Sequence, residues 1–524
     1  MTEARAESAA WTRRSRAADS SSRHMASPSA PATLPLPTGF AVALDPDTRQ
    51  LSDGSLFGGS PARVLRLTAA GDQALAELRS GPVRSARAGA LARRLTDAGL
   101  AHPVPPSGGM SAGRAAPSVT VIIPVRDRTA MLERCLEALG AAYPVVVVDD
   151  GSADPAAVAD VASRNGASLL RRYITGGPGA ARNSALENVT SEFVAFVDSD
   201  CVPPPGWVEA LAGHFTDPLV AAVAPRIFGE APAVGAWYGR YAAASGSLDL
   251  GTRAARVAPR TAVAYVPTAA LLARRAALLA VARNGQVFDE QLRHGEDVDL
   301  VWRLHDAGWR IRYDPAVQVV HREPGTWPAL LARRYRYGTS AAPLALRHPD
   351  DLTHLVLHPW PAATVAALLA RRPGTAAIVF GASVLTMART LRRADVPRDG
   401  LVQAMLDGVR QTWLGIGRYG TQFAAPLLAV AVAAPGGRSR ITRVGRRLAT
   451  ASLLLGPPLQ AWGASAKTLD PARFAAARIA DDVAYGLGVW SGCASARTMA
   501  PLRPAIAWRP LRIDPAHPIT RPGE

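Results

Sequence analysis

Asp198-Ser199-Asp200 places two carboxylates two residues apart, directly after the apolar run 193–197. Carboxylate oxygens so spaced can hold a hard divalent cation, and that cation would neutralise a diphosphate. Taken alone, the triplet also reads as an ordinary acidic turn. A second pair, Asp149-Asp150, follows the apolar run 145–148 and precedes Gly151-Ser152. Its oxygens suit base N–H groups or ribose hydroxyls, although Asp-Gly is also a common turn. Gly176-Gly-Pro-Gly-Ala-Ala-Arg182-Asn183 runs from glycines into a helical segment. There backbone N–H groups and the Arg182 guanidinium would meet phosphate oxygens, the competing reading being a flexible linker.

Gly295-Glu296-Asp297 opens a segment whose apolar face is Val298, Val301 and Trp302, with Gly308 as its stop. That pattern predicts a helix. Acidic residues stabilise helix starts, so capping competes with the chemical reading of Asp297 as a base. His321 ends the strand-like run 317–320. A lone histidine is more often structural than a ligand, and a neighbouring metal would reverse that order.

These groups need a scaffold that gathers them. Residues 118–321 alternate buried-strand runs with helical segments, the signature of an α/β domain with a largely parallel sheet. Strands are expected at 119–123, 145–148, 169–170 and 193–197, and open α/β sheets bind ligands outside their carboxyl ends. Upstream, 34–105 mixes short strands at 40–44 and 56–57 with helical packing of Val64, Leu65, Leu67, Leu75 and Leu78, then Leu91, Leu95 and Leu100. It reads as a small winged-helix-like α+β module. Residues 1–33 read as a disordered lead and 106–117 as a Pro/Ser/Gly linker. The α/β domain extends to about 345, and 346–524 is a helical, apolar region.

That last region holds uncharged stretches at 352–370, 373–388, 419–437, 448–466 and 483–496. A spanning helix wants about 20 apolar residues, and these are short, alanine-rich and broken by prolines. Buried or interfacial helices are therefore favoured over true spans.

Composition bounds the partners. Across 524 residues, Lys+Arg 59 against Asp+Glu 42 gives a net charge of +17, which suits nucleic acid, an anionic membrane face or phosphate-bearing small molecules. Hydrophobic residues at 48% and charged ones at 19% exclude a wholly disordered chain. Cys135, Cys201 and Cys493 form no CxxC or Cys/His pairing, so neither a disulfide framework nor a structural zinc site is supported, and a cytoplasmic setting is expected. Arg13, Arg14 and Arg16 have no apolar run behind them, so a secretory signal is not expected. Arg333-Arg-Tyr-Arg-Tyr337 mixes charge with aromatics, but without a nucleic-acid-binding fold around it the nucleic-acid reading is set aside.

Five motifs in order, Val121-Ile-Ile-Pro-Val-Arg126, Val148-Asp-Asp-Gly-Ser152, Gly179-Ala-Ala-Arg-Asn183, Asp198-Ser-Asp200 and Gly295-Glu-Asp297, resemble the family 2 inverting glycosyltransferases with a GT-A fold. Leu36-Pro-Thr-Gly-Phe-Ala-Val, Gly58-Gly-Ser-Pro-Ala-Arg63 and the Arg-rich apolar tail narrow the resemblance to the mycofactocin-system branch. The resemblance implies UDP-glucose as donor, Mn²⁺ or Mg²⁺ as metal, and a small peptide-derived redox cofactor precursor as acceptor. It implies that Pro124, Asp149 and Asp150 bracket the nucleoside, and that Arg182 meets base or diphosphate. Asp198, with Ser199 in the same donor-binding group, would take the ribose, Asp200 and His321 the metal, and Asp297 would be the base. A family 2 enzyme acting on a polyprenyl phosphate or cell-wall glycan at the cytoplasmic side of the membrane, and an inactive peptide-binding protein, stand as alternatives. Intact Asp200 and Asp297 weigh against the second.

Overall fold

The computed structural model describes residues 34–106, 118–230, 237–433, 440–465, 467–508 and 511–514. The expected lead at 1–33 and nearly all of the linker at 106–117 lie outside the described residues.

The amino-terminal module runs β1 (Ala41–Leu44), β2 (Arg49–Gln50), β3 (Leu56–Gly58), β4 (Arg63–Leu65), α1 (Ala69–Ser80), α2 (Ala86–Ala98) and β5 (Ala101–Val104). Thr68 and Ser85 cap the two helices by accepting from the backbone N–H groups of Gly71 and Ala88. Their apolar faces bury Leu75, Leu78, Leu91 and Leu95 against Leu56 and Leu65. Val64 and Leu65 belong to β4, which corrects the expected helical packing there. The chain reverses at Gly58-Gly59 and pairs 63–65 antiparallel with 56–58. Three residues are too few for periodicity to separate a strand from a helix. Gly59 is required at the reversal, with φ 80° and the Ala98 carbonyl 2.5 Å from where a Cβ would stand.

The α/β domain continues with β6 (Val119–Val125), α3 (Thr129–Leu139), β7 (Val145–Asp150), α4 (Pro155–Arg164), β8 (Ser168–Arg172), α5 (Pro178–Leu186), β9 (Phe193–Val197), β10 (Cys201–Val202), α6 (Trp207–Ala212), β11 (Val220–Gly229), α7 (Trp237–Ala244), β12 (Ala255–Val257), β13 (Ala270–Arg274), α8 (Arg275–Ala280), α9 (Glu296–Asp306) and β14 (Arg310–His321). The sheet order is β10-β14-β11-β13-β9-β6-β7-β8, with β12 on β14. Strands β9, β6, β7 and β8 are mutually parallel. The remainder is mixed, because β13 enters antiparallel between β9 and β11 and β10 antiparallel to β14. The central strands read as unbroken apolar runs because both faces are covered. Val121 and Ile123 join the core on one face, and Ile122 joins the core on the other. Ion pairs link this domain to the module, among them Arg93 to Asp217 at 2.8 Å, Arg310 to Asp97 at 2.8 Å and Arg253 to Asp47 at 2.7 Å.

The last region comprises α10 (Trp327–Thr339), α11 (Ala341–Arg347), β15 (Val356–Leu357), α12 (Pro359–Leu369), α13 (Pro373–Arg393), α14 (Leu401–Ala433), α15 (Arg440–Ala464), α16 (Pro471–Ser495), β16 (Ala505–Ile506) and β17 (Arg512–Asp514). Helix α16 packs on α10 at backbone contact, since any side chain at Gly488 would collide with the Tyr335 carbonyl. Arg334 on α10 forks onto Asp481 of α16 at 2.6 and 2.8 Å, and the Tyr241 hydroxyl donates to the same carboxylate at 3.0 Å. Helix α14 breaks at Ala424, two residues before Pro426, as proline demands. Among the described residues one helix, Pro373–Arg393, is long and apolar enough to cross a membrane by length and composition. Strand β17 returns to the module and pairs parallel with β4.

Candidate active site

Strand β9 ends at Val197, and Asp198-Ser199-Asp200 turns from it into β10. Cys201 pairs with His321 across the β10–β14 ladder, and the Arg322 N–H donates to the Asp200 carbonyl at 3.0 Å. Sheet register therefore sets the second aspartate beside the histidine, 121 positions apart in sequence. Asp200 Oδ1 lies 3.7 Å from His321 Nε2, and Asp200 Oδ2 accepts from Arg128 Nη1 at 2.5 Å. Burial pushes the Asp200 carboxyl up, but His321 and Arg128 outweigh it and hold it below the usual carboxylate range.

His321 Nδ1 faces Glu323 Oε1 at 3.2 Å, and Glu323 is itself held by Arg333. A carboxylate on one ring nitrogen orients the imidazole and leaves Nε2 toward Asp200. Burial lowers the affinity of that ring for a proton, yet Asp200 and Glu323 raise it to about 9. An oxygen and a nitrogen 3.7 Å apart, each oriented from behind, fit two ligands of one divalent cation.

Asp297 sits in the first turn of α9, entered through Gly295 at φ 84°. One oxygen accepts from the Val298 N–H at 2.8 Å. Burial, with Asp198 adding, raises the Asp297 carboxyl against the pull of Arg182 and the local N–H groups. Its neighbour Glu296 is raised to about 8 by burial and by Asp297, although Arg182 opposes this. A carboxylate raised in this way, as at Asp297, is the stronger base, whereas Glu296 at about 8 already holds its proton near neutrality.

Arg182 lies on α5, 2% exposed. Its Nη2 donates to Asp198 Oδ1 at 2.6 Å and its Nη1 to Glu296 Oε1 at 3.1 Å. Both terminal nitrogens thus tie β9 to α9, whereas the sequence reading sent this guanidinium to a base or diphosphate. Asp150 is equally committed: it accepts from Arg172 Nε, Thr175 Oγ1, and the Gly176 and Gly177 N–H groups at 2.7–3.0 Å. It fixes the glycine loop. Asp149 is fully buried, accepts from the Ser152 N–H at 2.8 Å, and keeps Oδ2 without a hydrogen bond.

One cavity of roughly 820 Å³ gathers Arg182, Asp198, Asp200, Asp297 and His321. Arg128, Tyr265, Glu296, Glu323, Arg333 and Tyr337 are among the other polar residues of its wall. Pro124, Asp149, Asp150 and Ser199 are buried outside that lining. Sequence reasoning missed Arg128, Glu296 and Glu323. Glu323 carried a usable signal, a carboxylate two residues after a candidate ligand histidine, and Glu296 sat inside a quoted motif. Arg128 carried none.

The chain is similar to several known proteins. Residues 120–278 match the family described as Glycosyl transferase family 2. The pre-mycofactocin glycosyltransferases of two Mycobacterium tuberculosis strains, CDC 1551 / Oshkosh and ATCC 25618 / H37Rv, are each 39% identical over 487 residues, covering 90% of this chain and 98% of theirs. Among solved structures, a Pyrobaculum calidifontis mannosyltransferase in complex with GDP-Man and Mn2+ is similar at 20% identity and TM-score 0.35, over 64% of this chain and 86% of that one. The Mycobacterium tuberculosis glucosyl-3-phosphoglycerate synthase with Mn2+, UDP-Glc and phosphoglyceric acid is similar at 21% identity and TM-score 0.33, over 45% and 81%. With 39% identity across 98% of the length of the two Mycobacterium tuberculosis relatives, the chain belongs to glycosyltransferase family 2, on the branch of the pre-mycofactocin glycosyltransferases.

Proposed function

We propose that this glycosyltransferase moves glucose from UDP-glucose to premycofactocin with inversion at the anomeric carbon, building β-linked glucose. The observation that carries the reading is that Asp297, a buried carboxylate of raised pKa, lines the same cavity as the Asp200–His321 pair. The names of the 39% relatives support premycofactocin as the acceptor.

Asp200 and His321 would hold Mn²⁺ or Mg²⁺, and Asp198 the ribose. When bound, the cation supplies positive charge for the departing diphosphate. Asp297 takes the proton of an acceptor hydroxyl, and the freed oxygen pair forms the new bond to the anomeric carbon. The bond from that carbon to the UDP oxygen breaks on the opposite face, and its electrons leave with UDP. One displacement inverts the centre, so no covalent nucleophile is required. Arg182 holds Asp198 and Glu296 in place, and Asp150 holds the glycine loop against which, with Pro124 and Asp149, the nucleoside would lie.

Exposed Ile378, Leu427, Val430 and Leu448 on α13, α14 and α15, with arginines along the same helices, support peripheral association with the cytoplasmic face of the membrane. The acceptor test is direct: incubate the purified chain with UDP-[¹⁴C]glucose, Mn²⁺ and premycofactocin. A β-linked labelled product supports the proposal. Transfer to a polyprenyl phosphate and not to premycofactocin would replace it with the lipid-linked alternative.

A further inference from the structure

A second group of metal-ligating side chains lies at the far end of α9 from Asp297. Asp306 in its last turn, His348 just after α11, and Asp351 bring one ligand atom each within 4.8 Å of one another. His348 is 5% exposed and is held from one side. Its Nε2 meets Asp299 Oδ1 at 2.9 Å, while Asp299 Oδ2 accepts from Arg303 Nε at 2.7 Å. The Trp302 ring stands edge-on to the imidazole at 5.1 Å.

This is the arrangement that prepares a histidine for a cation. With Nε2–H donating to a fixed carboxylate, the lone pair resides on Nδ1, and among the described residues Nδ1 has no hydrogen-bond partner. Asp306 makes no hydrogen bond or ion pair within 4 Å among the described residues, and Asp351 has only Arg260 Nη2, at 3.9 Å. Arg283 adds a more distant positive charge near Asp306. Two carboxylates and an oriented imidazole thus converge with one long ion pair, to Arg260, to balance them.

We propose that Asp306, His348 and Asp351 form a second divalent-cation site, separate from Asp200 and His321 and selective for a Zn²⁺-class ion. One imidazole with two carboxylates favours Zn²⁺ over Mg²⁺ or Ca²⁺, which prefer all-oxygen shells. Three protein ligands leave a fourth position for water in tetrahedral geometry. Small side-chain movement closes the gap, since Asp306 is exposed and Asp351 partly so. The ion would fasten the end of α9 to the segment after α11, where Asp351, Leu352, Thr353 and His354 border the catalytic cavity.

The full chain, stripped with chelator and titrated with Zn²⁺ alone, tests this by calorimetry, metal content and thermal melting. The Asp306→Asn/Asp351→Asn double variant should hold one Zn²⁺ per chain fewer than wild type and lose the matching rise in Tm. Asp200→Ala should keep the Zn²⁺ equivalent and the Tm rise that the double variant loses, whatever it loses at its own position, which separates this site from the one proposed for catalysis. Equal Zn²⁺ content in wild type and a double variant of unchanged circular dichroism overturns the site. If the double variant fails to fold, Asp306→Asn, altering an exposed side chain, must show weaker Zn²⁺ binding, and unchanged affinity there overturns it too.

Discussion

Arg182 and Asp198 meet at 2.6 Å, and the guanidinium donating there is among the most deeply buried side chains of the protein. The same guanidinium reaches Glu296, so its removal would strand two carboxylates around the cavity. Arg182→Ala should therefore lower unfolding free energy by about 3–5 kcal/mol, the cost of breaking a buried charge network from one side. Urea denaturation of the folded variant measures it. A change within about 0.5 kcal/mol, as for an ordinary surface substitution, would contradict the bridging role.

Asp297→Asn keeps the shape of the side chain but removes its ability to accept a proton. Transfer should fall by roughly 10²–10⁴-fold while UDP-glucose binding changes little. Calorimetry for the donor and a radiolabel assay for transfer separate the two. Retention of more than a small fraction of wild-type kcat would dismiss Asp297 as the base.

Glu323 meets His321 at Nδ1, the ring nitrogen opposite the one that faces Asp200. Glu323→Gln should weaken Mn²⁺ affinity by about 10–100-fold, the usual cost of losing an orienting carboxylate, with kcat recovering at saturating Mn²⁺. Asp200→Ala should not recover. A Glu323→Gln enzyme with an unchanged Mn²⁺ titration would show that the imidazole needs no such partner.

The pH profile follows from the raised carboxyl of Asp297. A base works only when deprotonated, and a raised pKa means the proton returns at a higher pH than for an ordinary aspartate. Activity should thus fall on the acid side with a limb displaced above the usual value of about 4. Measured kcat/KM that stays flat down to that ordinary range would contradict the burial argument.

The exposed apolar faces of α13, α14 and α15 are flanked by arginines and not enclosed by protein. Association with anionic vesicles should weaken as salt rises, and carbonate washing should release the chain from membrane pellets. Persistence in the pellet after carbonate would instead mean that a segment such as Pro373–Arg393 spans the bilayer.

The strands that present the motifs were legible because they are long, apolar and doubly covered: 119–123, 145–148 and 193–197 all lie within β6, β7 and β9. Helix α9 was legible from its glycine entry and its apolar face. Strands β11 and β13 were not, since alanine-rich runs such as 220–224 carry little strand signal and their partners are remote in sequence. The pairing of Asp200 with His321 rests on ladder register, which no local pattern encodes. The occupation of Arg182 and Asp150 was hidden for a related reason. A motif shows which donors and acceptors exist, and only the fold shows which of them the protein has already used.

Strand β17 has a consequence for the order of events during synthesis. The edge of β4 that it covers leaves the ribosome about 450 residues earlier, so at 5–20 residues per second that edge waits roughly 20–90 seconds for its partner. During this interval Val64 and the ladder groups of β4 are open to any extended chain nearby. Shortening the coding sequence just before residue 511 should therefore harm the distant amino-terminal module first, through clumping of nascent chains.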